Sequence, residues 1–128
     1  MTCPHLPELS YATFSRGLIA ASHDGRLPLC GTIELTERCN LDCLTCYIRK
    51  PLNDRTAGKT ELELRQWIDL LDQIADQGCL SLLFTGGEPL ARGDFIDIYS
   101  HAKKKGFIIT LITNGTLLNP KLVDGLAE

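Results

Sequence analysis

The chain has 128 residues, 44% of them hydrophobic and 23% charged, and carries a formal net charge of −3. That length suffices for one domain with a real core but not for a complete parallel barrel, which typically takes about 250 residues. The acidic balance gives no field for neutralising phosphates, so nucleic-acid binding is not expected, and no apolar stretch approaches the roughly 20 residues of a membrane span.

The opening MTCPHLPELSYATF lacks the basic and apolar regions of a signal peptide, which points to the cytoplasm. Residues 8–22 read as a weak lead-in helix with Leu9, Phe14, Leu18 and Ile19 on one side, and residues 23–28 as a turn. Gly31 to Thr36 has the β-branched content of a strand and ends at a group of cysteines. A loop rich in breakers follows, through Lys59. Thr60 and Glu63 then form a T-x-x-E capping box, so a helix is expected from residue 61. Its apolar positions Leu64, Trp67, Ile68, Leu71, Ile74 and Ala75 recur at three and four residues until Gly78 stops it.

Cys79 to Thr85 is a short apolar run, as expected of a strand covered on both faces in a parallel sheet, and Gly86 and Gly87 end it. Asp94 is placed to cap a helix carrying Phe95, Ile98, Tyr99 and Ala102, which closes at Gly106. Phe107 to Thr113 reads as a third buried strand, Asn114-Gly115 as a turn, and Asn119-Pro120 as the start of a last helix.

This alternation predicts an α/β fold with parallel strands: a partial (β/α) barrel of about three βα units over residues 30–128, preceded by a lead-in over residues 1–29. The loops after Thr36, Thr85 and Thr113 all leave the carboxyl ends of strands, the edge at which parallel α/β architectures bind ligands. One shared site is expected there.

Of six cysteines, Cys39, Cys43 and Cys46 crowd into eight residues, which argues for a metal rather than a disulfide frame. Soft thiolates favour zinc, copper(I) or iron–sulfur clusters. Three ligands are one short of a closed structural zinc site, and no fourth Cys or His lies at a matching spacing, so an open coordination position is expected. The same spacing would suit small core hydrophobes on a helix, but Arg38, Asn40 and Asp42 break up any apolar face. Gly86-Gly87-Glu88-Pro89 reads locally as a strand exit that needs positive φ. Tyr47, next to the third cysteine, either shields the site or packs in the core.

The segment TERCNLDCLTCY, with its Cys-x3-Cys-x2-Cys spacing, resembles the cluster-binding signature of the radical S-adenosylmethionine (SAM) superfamily. FTGGEPL at 84–90 resembles the family's Gly-Gly-Glu-Pro motif, and LITNGTLL at 111–118 resembles the segment after its third strand. In combination they look most like the branch that modifies peptides and proteins and often carries a SPASM-type C-terminal extension, although the same core also occurs in members that build cofactors.

The resemblance implies a [4Fe-4S] cluster held by Cys39, Cys43 and Cys46, with SAM on the remaining iron. SAM contacts would come from Gly86, Gly87, Glu88 and Pro89, with Asn114 and Tyr47 as further candidates. It also implies a reductant such as ferredoxin or flavodoxin and a peptide or protein substrate, or a cofactor precursor. Thr45 departs from the pattern, because many members carry an aromatic residue or His before the third cysteine. The abrupt end at Glu128 motivates a competing reading, a non-catalytic metal-binding or interaction module.

Overall fold

Three short strands of matched polarity organise the chain in the computed structural model, which describes residues 10–48 and 50–127. Strands β1 (Cys30–Glu34), β4 (Ser81–Thr85) and β5 (Ile108–Leu111) form a parallel sheet in the order β1-β4-β5. The register places Ile33 beside Phe84 and Phe84 beside Leu111. A separate parallel pair joins β2 (Arg38–Cys39) to β3 (Lys50–Pro51). Each crossover between the main strands carries helix, as parallel pairing demands.

The core lies on one face of this sheet. Ile33, Leu82 and Phe84 pack there with Leu35 against Trp67 and Leu71 of α3 (Leu64–Asp76) and against Phe95, Ile98, Tyr99 and Ala102 of α4 (Phe95–Lys104). Each such side chain contributes roughly 1.5–3 kcal/mol on burial. The Phe95 and Tyr99 rings stack with centroids 6.0 Å apart, and the Tyr99 hydroxyl donates to the Leu126 carbonyl of α5 (Pro120–Ala127) at 2.9 Å. Between α3 and α4, Asp72 accepts from Lys105 at 2.9 Å and pairs with His101 at 2.6 Å.

The expectation that the strands are covered on both faces does not hold. Burial alternates along β4, and on the face away from the helices Thr32 and Thr110 are exposed, as is Ile108 at 70%. The reason is that the described helices that pack on the sheet, α3, α4 and α5, all contribute to the one core.

The helix ends follow some local signals and depart from others. Gly78 and Gly106 end their helices with φ of 83° and 90°, as expected of left-handed C-terminal stops. The capping box is shifted: Glu63, not Thr60, caps α3, with Gln66 reaching back to the Glu63 amide at 2.9 Å. Thr60 instead ends α2 (Arg55–Thr60), a short helix inside the stretch expected to be loop. Asp54 makes it possible by accepting the Thr56 and Ala57 amides, both at 2.9 Å. Asp94 sits at the start of α4 but makes no side-chain cap, because its carboxylate is engaged by Arg92.

The lead-in helix α1 (Tyr11–Gly25) is capped by Ser10 and runs three residues past its expected end. It buries none of its residues, so Phe14 and Ile19 do not join the core. Glu8 and Leu9, assigned to the same helix, lie outside the described residues, as does Cys3.

Candidate functional site

The cysteine loop begins where β1 runs out. Leu35 continues the β1–β4 ladder by donating to the Thr85 carbonyl at 2.9 Å. Thereafter the Gly87 amide donates to Thr36 at 2.7 Å and the Glu88 amide to the Arg38 carbonyl at 2.9 Å. The Gly-Gly-Glu-Pro turn is therefore laid against the three residues that lead into Cys39. Only glycine fits this approach: a Cβ on Gly87 would stand 2.5 Å from the Arg38 carbonyl oxygen, and one on Gly86 would meet the Thr36 oxygen. Gly86 also has φ of 134°, which a side chain rarely adopts.

Beneath this junction lies a polar network. Glu61 receives both arms of the Arg38 guanidinium, Nε on Oε1 and Nη2 on Oε2, each at 2.8 Å. The Thr36 hydroxyl donates to the same Oε1, and Arg92 reaches Oε2 at 3.4 Å. Arg92 is itself buried and donates to the Leu35 and Leu62 carbonyls, both at 3.0 Å, and to Asp94. Burial would push the Glu61 carboxyl up, but the hydrogen bonds from Arg38 and Thr36, with the charges of Arg38 and Arg92, outweigh it and hold the group below its ordinary range. The bond to Glu61 in turn raises Arg38.

Glu88 is bonded to the third strand-end loop. It is fully buried, and its carboxylate accepts the Leu90 amide at 2.9 Å, the Thr113 hydroxyl at 2.7 Å and the Asn114 amide at 2.8 Å. Its side chain thus joins the second strand-end loop to the third. Asn114 carries the linkage onward: its Nδ2 donates to Asn40 Oδ1 at 2.9 Å and lies 3.8 Å from Cys39 Sγ. Thr116 closes the ring, donating to Asn114 Oδ1 at 2.7 Å and accepting from Asn40 at 2.7 Å.

Cys39 lies in β2, where pairing with β3 closes the base of the cysteine loop, and its sulfur accepts the Leu41 amide at 3.4 Å. Cys43 is exposed and Cys46 half-buried, and the Cys46 amide donates to the Cys43 carbonyl at 3.1 Å. None of the five described cysteines forms a disulfide. Among the described residues no three Cys, His, Asp or Glu side chains gather closely enough for a single metal ion. A cubane cluster offers each cysteine an iron of its own, so its ligands need not converge on one point. Three thiols on one strand-end loop, with amide donors already directed at one sulfur, fit such a cluster.

Tyr47 is 80% exposed, which removes the core reading; its hydroxyl donates to Glu34 at 2.8 Å, and that bond raises its pKa. The structure thus brings the Gly-Gly-Glu-Pro turn, Asn114 and Cys39 together. Sequence reasoning missed Arg38, Asn40, Glu61, Arg92, Thr113 and Thr116. For Asn40 and Thr116, proximity in sequence to recognised motifs was an available signal.

Residues 33–128 match the family described as the radical SAM superfamily. The chain is 41% identical over 96 residues to the PqqA peptide cyclase of Streptomyces rochei, covering 75% of this chain and 26% of that protein. With the PqqA peptide cyclase of Bradyrhizobium diazoefficiens it is 36% identical over 102 residues, covering 80% and 26%. The fold is similar to the crystal structure of Streptococcus suis SuiB bound to S-adenosylmethionine, with a TM-score of 0.69 and 25% identity over 96% of this chain and 30% of SuiB. The chain therefore spans about a quarter of the length of the curated relatives it matches.

Proposed function

Because the chain belongs to the radical SAM superfamily, we propose that it binds a [4Fe-4S] cluster through Cys39, Cys43 and Cys46 and uses it with SAM to act on a peptide or protein. The observation that carries this reading is the contact of the Gly-Gly-Glu-Pro turn with the root of the cysteine loop, through Gly87 to Thr36 and Glu88 to Arg38. Held by Cys39, Cys43 and Cys46, such a cluster would supply one electron for cleavage of the SAM sulfonium into methionine and a 5′-deoxyadenosyl radical able to take a hydrogen atom from substrate. The peptide substrate rests on the PqqA peptide cyclases and on a further SuiB structure, described as bound to its precursor peptide SuiA.

The chain's own residues divide the work. Gly86 and Gly87 let the turn lie directly against the root of the cysteine loop, so that its main chain stands beside Cys39 where the SAM methionyl group would bind, while Pro89 starts the 3-10 turn that fixes the strand exit. Asn114, oriented by Thr116 and Asn40, offers amide hydrogens beside Cys39. Glu88 keeps the second and third loops in register from below. Tyr47, on the exposed side of the loop, can cover the site from solvent. A reductant of the ferredoxin or flavodoxin type and a cytoplasmic setting complete the proposal; no helix among the described residues is long and apolar enough to cross a membrane.

Anaerobic reconstitution should load roughly four irons per chain with cluster absorbance, and changing Cys39, Cys43 and Cys46 to Ala should abolish loading. Retention of iron by the triple variant would sink the proposal. Incubation with SAM and dithionite then asks for 5′-deoxyadenosine. A loaded chain that released none would favour the non-catalytic module.

A further inference from the structure

We infer that Glu61, through its two-armed bond to Arg38, is the positioning residue that sets where Cys39 stands relative to the Gly-Gly-Glu-Pro turn, and thereby governs how long a cluster is retained. The inference rests on the cluster reading proposed above but turns on Glu61 and Arg92, which lie outside the three motifs.

Four segments meet at this one carboxylate. The end of β1 arrives through the Thr36 hydroxyl, and the residue before Cys39 through both arms of Arg38. The α2–α3 junction supplies Glu61 itself, and the stretch after the Gly-Gly-Glu-Pro turn brings Arg92. Arg92 also holds the Leu35 and Leu62 carbonyls, so the last buried residue before the loop and the entry to α3 share one cation. Arg38 cannot shift without breaking a bidentate pair whose partner is 12% exposed. Its carbonyl receives the Glu88 amide and its amide donates to Thr36 Oγ1 at 2.9 Å, so its backbone is fixed from both sides. A planar guanidinium paired fork to fork gives directional constraint that an ammonium does not.

Such a network costs desolvation, and apolar residues of similar volume often replace buried ion pairs with no loss of stability. That permits stability and positioning to be separated. In the full chain, the double variant Glu61→Met with Arg38→Met should keep a thermal midpoint within a few degrees of wild type, yet lose its reconstituted cluster to a ferrous chelator at least tenfold faster. Arg38→Lys, which keeps the charge and loses the fork, should release it several-fold faster. Equal release from wild type and both variants overturns the inference while leaving the cluster reading intact. If the double variant fails to fold, Arg38→Lys decides by the same release measurement. A wild-type chain that loads no cluster overturns the parent reading, and this one with it.

Discussion

The two halves of the cysteine loop are built on opposite plans. Its root, Thr36 to Cys39, is bonded to the Gly-Gly-Glu-Pro turn, to Glu61 and to β3, and Thr36 is almost wholly buried. Its tip, around Leu44, projects into solvent, with Leu44 itself 91% exposed and Cys43 exposed beside it. One proposed ligand, Cys39, is thus fixed by the fold, while Cys43 stands exposed at the tip. The contrast teaches that rigidity and ligand supply are separate tasks, and that the fold commits its buried polar groups to the first.

The sharpest way to break this contrast is at Glu88. Glu88→Ala leaves the Leu90 amide, the Thr113 hydroxyl and the Asn114 amide without their acceptor, and a loss of about 3 kcal/mol in unfolding free energy is expected from denaturant titration. A value under 0.5 kcal/mol would show the root to be less dependent on this link than its geometry indicates. Acid provides a smaller perturbation. Because Glu61 is held below its ordinary value of 4.5 in the folded chain, its stabilisation is complete above that pH and is lost as pH falls through the folded value. The thermal midpoint should therefore hold between pH 7 and 5 and fall below about 4.5, with a shallower fall in Glu61→Gln. At the tip, Leu44→Ser should change stability by less than about 0.5 kcal/mol, measured in the same titration.

Much of this was legible in the sequence because it is written locally. Apolar spacing located α3 and α4, and glycines marked the ends of both. The three motifs fell on the expected strand ends, and the α/β order followed. What the sequence did not disclose are the polar partnerships across long separations. Arg38 meets Glu61 over 23 positions and Arg92 meets the Leu35 carbonyl over 57, and neither pairing leaves a periodic trace. The same cause misassigned Asp94, a sound cap by residue type that is drawn away by Arg92. The shift of the capping box from Thr60 to Glu63 has another origin. Asp54 nucleates α2 just before it and uses Thr60 as that helix's last residue, where its hydroxyl donates to the Ala57 carbonyl at 2.9 Å.

The inward direction of the Glu88 side chain has a bearing on how such a turn can change over generations. With two glycines, a concealed acid and a buried proline, the turn shows a visitor little besides peptide groups. What the turn holds in place is then a backbone path against Thr36 and Arg38, so lengthening the loop by one residue would disturb it more than exchanging the residues around it.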